Sequence, residues 1–277
     1  MKIKLYKSLW EVVSFHGQPL TIMMDDNIEN YIRKIKESGY DGIECPLPRK
    51  EQESFFLQLL NEYDLEYIAQ VLSQGDHEQS FASQVERAVE FNPIMIVSQS
   101  AKDSMPYERQ VEYFQKAVEV EHSIGISIAH ETHRGRALFN PWHTVKLLKE
   151  IPELKLNADF SHWCCVCESL LDDLQEDMKL ACERSIHIHG RVGHAEGPQV
   201  PDPRAPEYER EWKTHLSWWE QIANHHQRQG VDTLTFTPEF GPPGYMHTLP
   251  FTRQPVADIW DLNLWTAQTV KAHLQNL

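Results

Sequence analysis

Leu154-Lys155-Leu156-Asn157-Ala158-Asp159-Phe160 and Ser185-Ile186-His187-Ile188-His189 enclose the helical stretch Leu171 to Arg184, and this βαβ unit decides the fold. Both outer runs are short and strand-like, and Asp159 in one and His189 at the end of the other are able to ligate a metal or move a proton. Working outward toward the C-terminus, the rhythm continues with a helix over Glu207 to Gln229, a strand over Thr233 to Glu239 and a helix over Ala257 to Gln275. Toward the N-terminus lie a helix over Trp142 to Glu150 and a strand over Gly125 to Thr132. The helix Tyr107 to Ser123 has Pro106 at its start, where a missing N–H costs little. Pro93 to Ser98 is a strand whose apolar run does not alternate, as expected when both faces are buried.

The first third repeats the pattern: strands over Ile3 to Leu9, Gly42 to Pro46 and Glu66 to Leu72, with helices over Ile28 to Ser38, Gln52 to Tyr63 and Ser80 to Phe91. Ile28, Tyr31, Ile32 and Ile35 show the i, i+3, i+4, i+7 spacing of an amphipathic helix. Alternating strand and helix signals imply a parallel sheet with right-handed crossovers. Eight such units without a composition break predict an α/β fold, one (β/α)8 barrel domain over residues 1–277. No glycine-rich nucleotide loop interrupts it.

Composition narrows the function classes. The 277 residues carry 26 Lys plus Arg against 41 Asp plus Glu, a formal charge of −15 that repels phosphate backbones and speaks against a nucleic-acid partner. No apolar run has the length of a membrane span, and the N-terminal residues lack a secretory pattern. Cys45, Cys164, Cys165, Cys167 and Cys182 are odd in number and partly crowded, which predicts reduced thiols and a cytoplasmic location. Cys164 and Cys167 form one C-x-x-C, but without a second pair they are expected to be small residues beside a strand end.

In such a barrel the C-terminal strand ends converge on one pocket. The last four strands bring Glu131, Asp159, His189 and Glu239 there, at intervals of 28, 30 and 50 residues. Three converging carboxylates repel one another unless a cation sits between them. An oxygen-rich set with one nitrogen suits one divalent ion, Mn, Mg, Co or Zn. His187 and His189 are two apart and share a face, but His189 lies nearer the rim; His187 is expected as a hydrogen-bonded core residue one layer down. The long interval after His189 holds Gly190 to Pro206, with three Gly and four Pro, which is expected to cover the site.

These residues carry a resemblance. His130-Glu131-Thr132-His133-Arg134, Asp159-Phe160-Ser161-His162, His187-Ile188-His189 and Pro238-Glu239-Phe240-Gly241 resemble the xylose isomerase-like TIM-barrel superfamily of sugar isomerases and epimerases, inosose dehydratases and hydroxypyruvate isomerases, with endonuclease IV as a DNA-repair relative. The resemblance implies that Glu131, Asp159, His189 and Glu239 ligate one metal, that Glu131 and Glu239 shuttle the substrate proton, and that His162 contacts the substrate. By analogy with such enzymes a homodimer is the expected assembly. Two departures stand out: Ala137 occupies the position where the ketose 3-epimerases carry a further Glu, and Gly190-Arg191-Val192-Gly193 replaces their acid-containing stretch. The extra histidines of the nuclease are missing at Cys45, Leu72 and Ser98.

The chemistry expected is enediolate formation on a small sugar, ketose or polyol-derived substrate, giving an isomerase or epimerase. A lyase of the inosose- or shikimate-dehydratase type shares the first step, and a non-catalytic sugar-binding barrel is the third alternative. Arg191, Arg134 and Arg136 are candidates for holding substrate oxygens or an anionic group. Glu44 at the end of the second strand and His16 after the first are further substrate candidates, and Trp163, Trp218, Trp219 and Tyr245 are candidates for an apolar wall.

Overall fold

The computed structural model describes residues 1–14, 21–22 and 24–277. Eight parallel strands close into a barrel: β1 (Lys2–Ser8), β2 (Gly42–Pro46), β3 (Glu66–Leu72), β4 (Met95–Gln99), β5 (Ile128–Glu131), β6 (Leu156–Ala158), β7 (Ser185–Gly190) and β8 (Thr233–Pro238). Each pairs with its sequence neighbour, and β1 closes the ring by pairing with both β2 and β8. The expected (β/α)8 barrel is therefore the fold. A two-stranded antiparallel ribbon, Val13–Ser14 with Thr21–Ile22, follows β1. His16 lies outside the described residues.

The outer ring comprises α1 (Ile28–Glu37), α2 (Glu53–Glu62), α3 (His77–Val89), α4 (Tyr107–Ile124), α5 (Pro141–Glu150), α6 (Ser161–Val166), α7 (Gln175–Arg184), α8 (Glu209–Arg228) and α9 (Ile259–Gln275). Their ends follow local chemistry. Asp76, Asn140 and Asp258 each accept a backbone N–H of the first turn, which satisfies a donor that helix geometry leaves free. Gly125 ends α4 in the left-handed conformation that glycine adopts without strain.

Two expectations are corrected here. The helix placed over Leu171 to Arg184 begins only at Gln175, because Leu171 takes a φ of 60° and cannot continue a right-handed helix. The short helix α6 was not foreseen, and it carries His162.

Two apolar layers hold the barrel. The larger lies between strands and helices and includes Ile32, Ile35, Ile43, Leu147, Leu234 and Val270. The smaller fills the barrel interior with Tyr6, Ile68, Met95, Val97 and Ala129. Polar side chains replace this plug toward the C-terminal strand ends. Among the described residues, no helix is long and apolar enough to cross a membrane. All five cysteines are free, as expected.

Candidate metal centre at the open end of the barrel

Glu131 is the last residue of β5, Asp159 follows β6, His189 lies in β7 and Glu239 follows β8. The structure brings the four together: each offers a ligand atom, and these atoms all lie within 4.8 Å of one another. All four side chains are buried. Local bonds aim them. The Asp159 N–H donates to Thr132 Oγ1 at 2.8 Å, and the Ser161 hydroxyl donates to its Oδ1.

His189 is oriented from below. Its Nε2 lies 2.7 Å from Glu44 Oε1, which can only accept, so Nε2 carries the proton and Nδ1 is left as a lone pair. That Nδ1 lies 3.0 Å from Glu239 Oε2 and 3.9 Å from Glu131 Oε1. Neither His189 Nδ1 nor Glu239 Oε2 has a hydrogen-bond partner, although both are buried. Two buried acceptors facing each other require a shared cation or a proton.

The electrostatics point the same way. Burial, with Glu239 and Asp159 close by, pushes the Glu131 carboxyl up to about 8. Burial likewise raises Asp159 despite the opposing Arg191. At Glu239 burial also works upward, but His189 and Arg191 outweigh it and hold the carboxyl down. Three carboxylates cannot all ionise here without further positive charge. Three carboxylates and one imidazole, with no thiolate, fit a hard or borderline divalent cation, so Glu131, Asp159, His189 and Glu239 are the residues that would hold it.

Arg191 supplies positive charge from within the chain. Its guanidinium is buried and bonds Asp159; Nη2 also lies 3.4 Å from Glu239 Oε2 and donates to His162 Nε2 at 2.8 Å. Trp10 and Tyr245 flank it, with ring centroids 5.6 and 4.8 Å from its Cζ. Beside the cluster opens a cavity of about 240 Å³, lined by Trp10, Gln70, Gln99, His133 and Tyr245 together with Glu131, Arg191 and Glu239. It is smaller than the pockets that take drug-sized ligands, so it suits a small substrate.

The remaining sequence candidates separate. Arg134 stands exposed at the rim, 5.2 Å from the Tyr245 ring centroid. His162 is fully buried behind Arg191, its ring 3.9 Å from that of His133, and not among the residues lining the cavity. Arg136 is drawn away, donating to the carbonyls of Ser73 and Ala101. Gly190 to Pro206 is packed: Val192 and Val200 are buried and Gln199 bonds both the N–H and the carbonyl of Gly241.

Glu44 is a correction. It was expected to meet substrate, yet it is 0% exposed and its carboxylate accepts bonds from His189, His187, Gln70 and Thr237. No lone pair remains for a ligand. His187 has the expected core role, bonded to Thr235 and Glu44. The aromatic wall is also corrected. Trp163, Trp218 and Trp219 are buried in the larger apolar layer, and of the four candidates only Tyr245 lines the cavity. The wall residue missed was Trp10, two residues past the end of β1, where a barrel places its site loops. It packs so closely on Gly241 that a Cβ there would clash with the indole.

Comparison with known proteins agrees with this architecture. The model of a family described as xylose isomerase-like TIM barrel matches residues 32–194. Among solved structures, a xylose isomerase-like TIM barrel protein from Mycobacterium smegmatis in complex with magnesium is 10% identical with a TM-score of 0.67, covering 99% of this chain and 97% of that one. D-allulose 3-epimerase from Methylomonas sp. is 15% identical, TM-score 0.61, covering 99% and 98%. A probable 3-DHS dehydratase from Bacillus anthracis is 15% identical, TM-score 0.54, covering 98% and 96%. No curated protein matches the chain. At these identities the likenesses establish the fold.

Proposed function

The chain belongs to the xylose isomerase-like TIM barrel family, and from that premise we propose that it is a divalent-metal-dependent isomerase or epimerase of a small sugar, ketose or polyol-derived substrate. One observation carries the reading: ligand atoms of Glu131, Asp159, His189 and Glu239 gather within 4.8 Å beside a small cavity, and two of them face each other without a partner. The neighbours that are a magnesium complex and an allulose epimerase support it as precedents on this fold.

When bound, a divalent cation would polarise a substrate carbonyl and offset the negative charge that develops as the adjacent carbon loses its proton. The proton transfers fall to the chain. Glu131 and Glu239 approach from β5 and β8, so a substrate seated between them meets two carboxylates. One removes the proton next to the carbonyl and the other returns it. Arg134 at the rim can donate to substrate oxygens, as can Arg191 through Nη1, since its Nε and Nη2 N–H groups are held by Ser161, Asp159 and His162, and Trp10 and Tyr245 supply apolar walls.

A lyase on the same site is the second reading, in which the enolate expels a β-hydroxyl instead of being reprotonated. Ala137, fully buried where the resembling ketose epimerases carry a Glu, favours it. Proton NMR of Mn- or Mg-loaded protein with ketoses and keto-inositols in D2O separates the two. Loss of the α-proton signal without loss of water supports the isomerase, and a new alkene signal supports the lyase. An absence of both across the set counts against enzymatic chemistry here.

A further inference from the structure

We propose that Glu44 is the positioning residue of the metal centre, fixing His189 in the tautomer that carries its proton on Nε2 and turns Nδ1 toward the cation. The inference rests on reading Glu131, Asp159, His189 and Glu239 as a metal site, and it assigns a task to a buried carboxylate which that reading leaves unused.

The geometry is specific. Glu44 lies on β2, in register with Ser8 of β1 and Ile68 of β3. Its side chain crosses the barrel to β7, which is 145 residues away in sequence. Oε1 accepts from His189 Nε2 at 2.7 Å and from Gln70 Nε2 at 2.9 Å. Oε2 accepts from Thr237 Oγ1 at 2.6 Å and from His187 Nε2 at 3.1 Å. Four donors saturate the carboxylate. The donor assignments are mutually consistent: His187 Nδ1 lies 2.7 Å from Thr235 Oγ1, whose hydroxyl supplies the proton that Nδ1 lacks.

The consequence falls on His189. Its Nε2–H is committed to an acceptor that has no proton to give, so the imidazole cannot change tautomer without losing a buried charge-assisted bond. In the neutral ring Nδ1 then points at Glu131 and Glu239 as a lone pair. An imidazole ligand backed by a carboxylate is also a stronger electron donor, and loss of such a partner typically lowers metal affinity about 10- to 100-fold. Glu44, His187 and His189 do group closely enough to hold a cation themselves. The four donors already on Glu44 argue against that.

The test measures Mn²⁺ affinity by calorimetry for the native protein, Glu44→Gln, His187→Gln and Asp159→Asn, with circular dichroism as the check on folding. Expected are native folding throughout, a loss of about 10- to 100-fold in Glu44→Gln, near-native affinity in His187→Gln, and no binding in Asp159→Asn. Equal losses in Glu44→Gln and His187→Gln would mean that the buried cluster acts only as a scaffold and would overturn the proposal. Two Mn²⁺ ions per chain, one of them lost in His187→Gln, would make Glu44 a ligand and overturn it too. If Glu44→Gln does not fold, long-range ¹H–¹⁵N spectra of the native Zn²⁺-loaded protein decide. A proton on His189 Nε2 supports the assignment, and one on Nδ1 sinks it. Failure of the native protein to bind any divalent ion removes the metal site itself, whereas tight native binding with an unaffected Glu44→Gln removes only the role given to Glu44.

Discussion

His189 Nδ1 lies 3.0 Å from Glu239 Oε2, both atoms buried and neither hydrogen-bonded. Each is an acceptor, so the contact is favourable only with a positive charge at or beside it. Without a metal, His189 must take a second proton at Nδ1, and although burial opposes charging the ring, Glu239 and Glu44 hold its pKa well above the usual imidazole range. A divalent cation does the same work without a proton.

Thermal stability is therefore expected to depend on metal. Native protein stripped with chelator should melt below the same protein with Mn²⁺. At a free concentration about 100-fold above Kd, the gain is about 3 kcal/mol. Asp159→Asn should melt alike with and without Mn²⁺. Scanning calorimetry on the two proteins reads this directly, and an equal Mn²⁺ shift in both would remove Asp159 from the ligand set.

Glu239→Gln should abolish α-proton exchange while leaving the far-ultraviolet spectrum unchanged. Loss of a general base costs about 10²- to 10⁴-fold, and the amide keeps the shape of the side chain. Because Glu239 is also a metal ligand, the assay is run at Mn²⁺ saturating for the variant, and substrate should then still bind against Arg134, Trp10 and Tyr245. Solvent-exchange rates by NMR give the first number and ligand titration the second. Unimpaired exchange would transfer the proton shuttle elsewhere.

Much of this site was visible in the sequence, for a physical reason. Glu131, Asp159, His189 and Glu239 each end a strand-like run, and barrel closure forces such ends together, so position along the chain was enough to predict proximity. Glu44 shows the limit. Alternation places its side chain inside the barrel, but its depth and its partners depend on β7 and β8, which join it only across the closed interior. Trp10 was missed because it opens a three-residue 3-10 turn too short to show a period, and α6 because six residues are too few to show a helical one.

Arg191→Met should destabilise the metal-free protein strongly and the metal-loaded protein less. The guanidinium is fully buried against Asp159, Glu239 and His162, and removing one member of a buried ion pair costs about 3–5 kcal/mol. A bound cation neutralises the same carboxylates, so Mn²⁺ should recover part of that loss. Urea denaturation of native and variant protein, each with and without Mn²⁺, tests the coupling. A loss of the same size in both conditions would show that Arg191 and the cation do not share their partners.

Stability should also fall with acid through His215, which lies outside the site. Its ring is buried beneath the loop after β7; Nδ1 donates to the Glu211 carbonyl at 2.9 Å, and Nε2 accepts the Gly193 N–H at 3.2 Å. Burial lowers its pKa from 6.5 to about 4. The folded state therefore favours the neutral ring, while the unfolded chain binds a proton as pH drops below 6.5. The contribution is complete above about pH 6.5 and is lost progressively toward pH 4, on the order of 3 kcal/mol in all. His215→Gln removes this titration, and its amide can still donate to Glu211 and accept from Gly193. Urea midpoints measured between pH 7.5 and 4.5 should thus fall more steeply for the native protein than for the variant. Parallel slopes would mean that His215 titrates alike in the folded and unfolded chains, so that its bond to Gly193 does not hold the ring neutral.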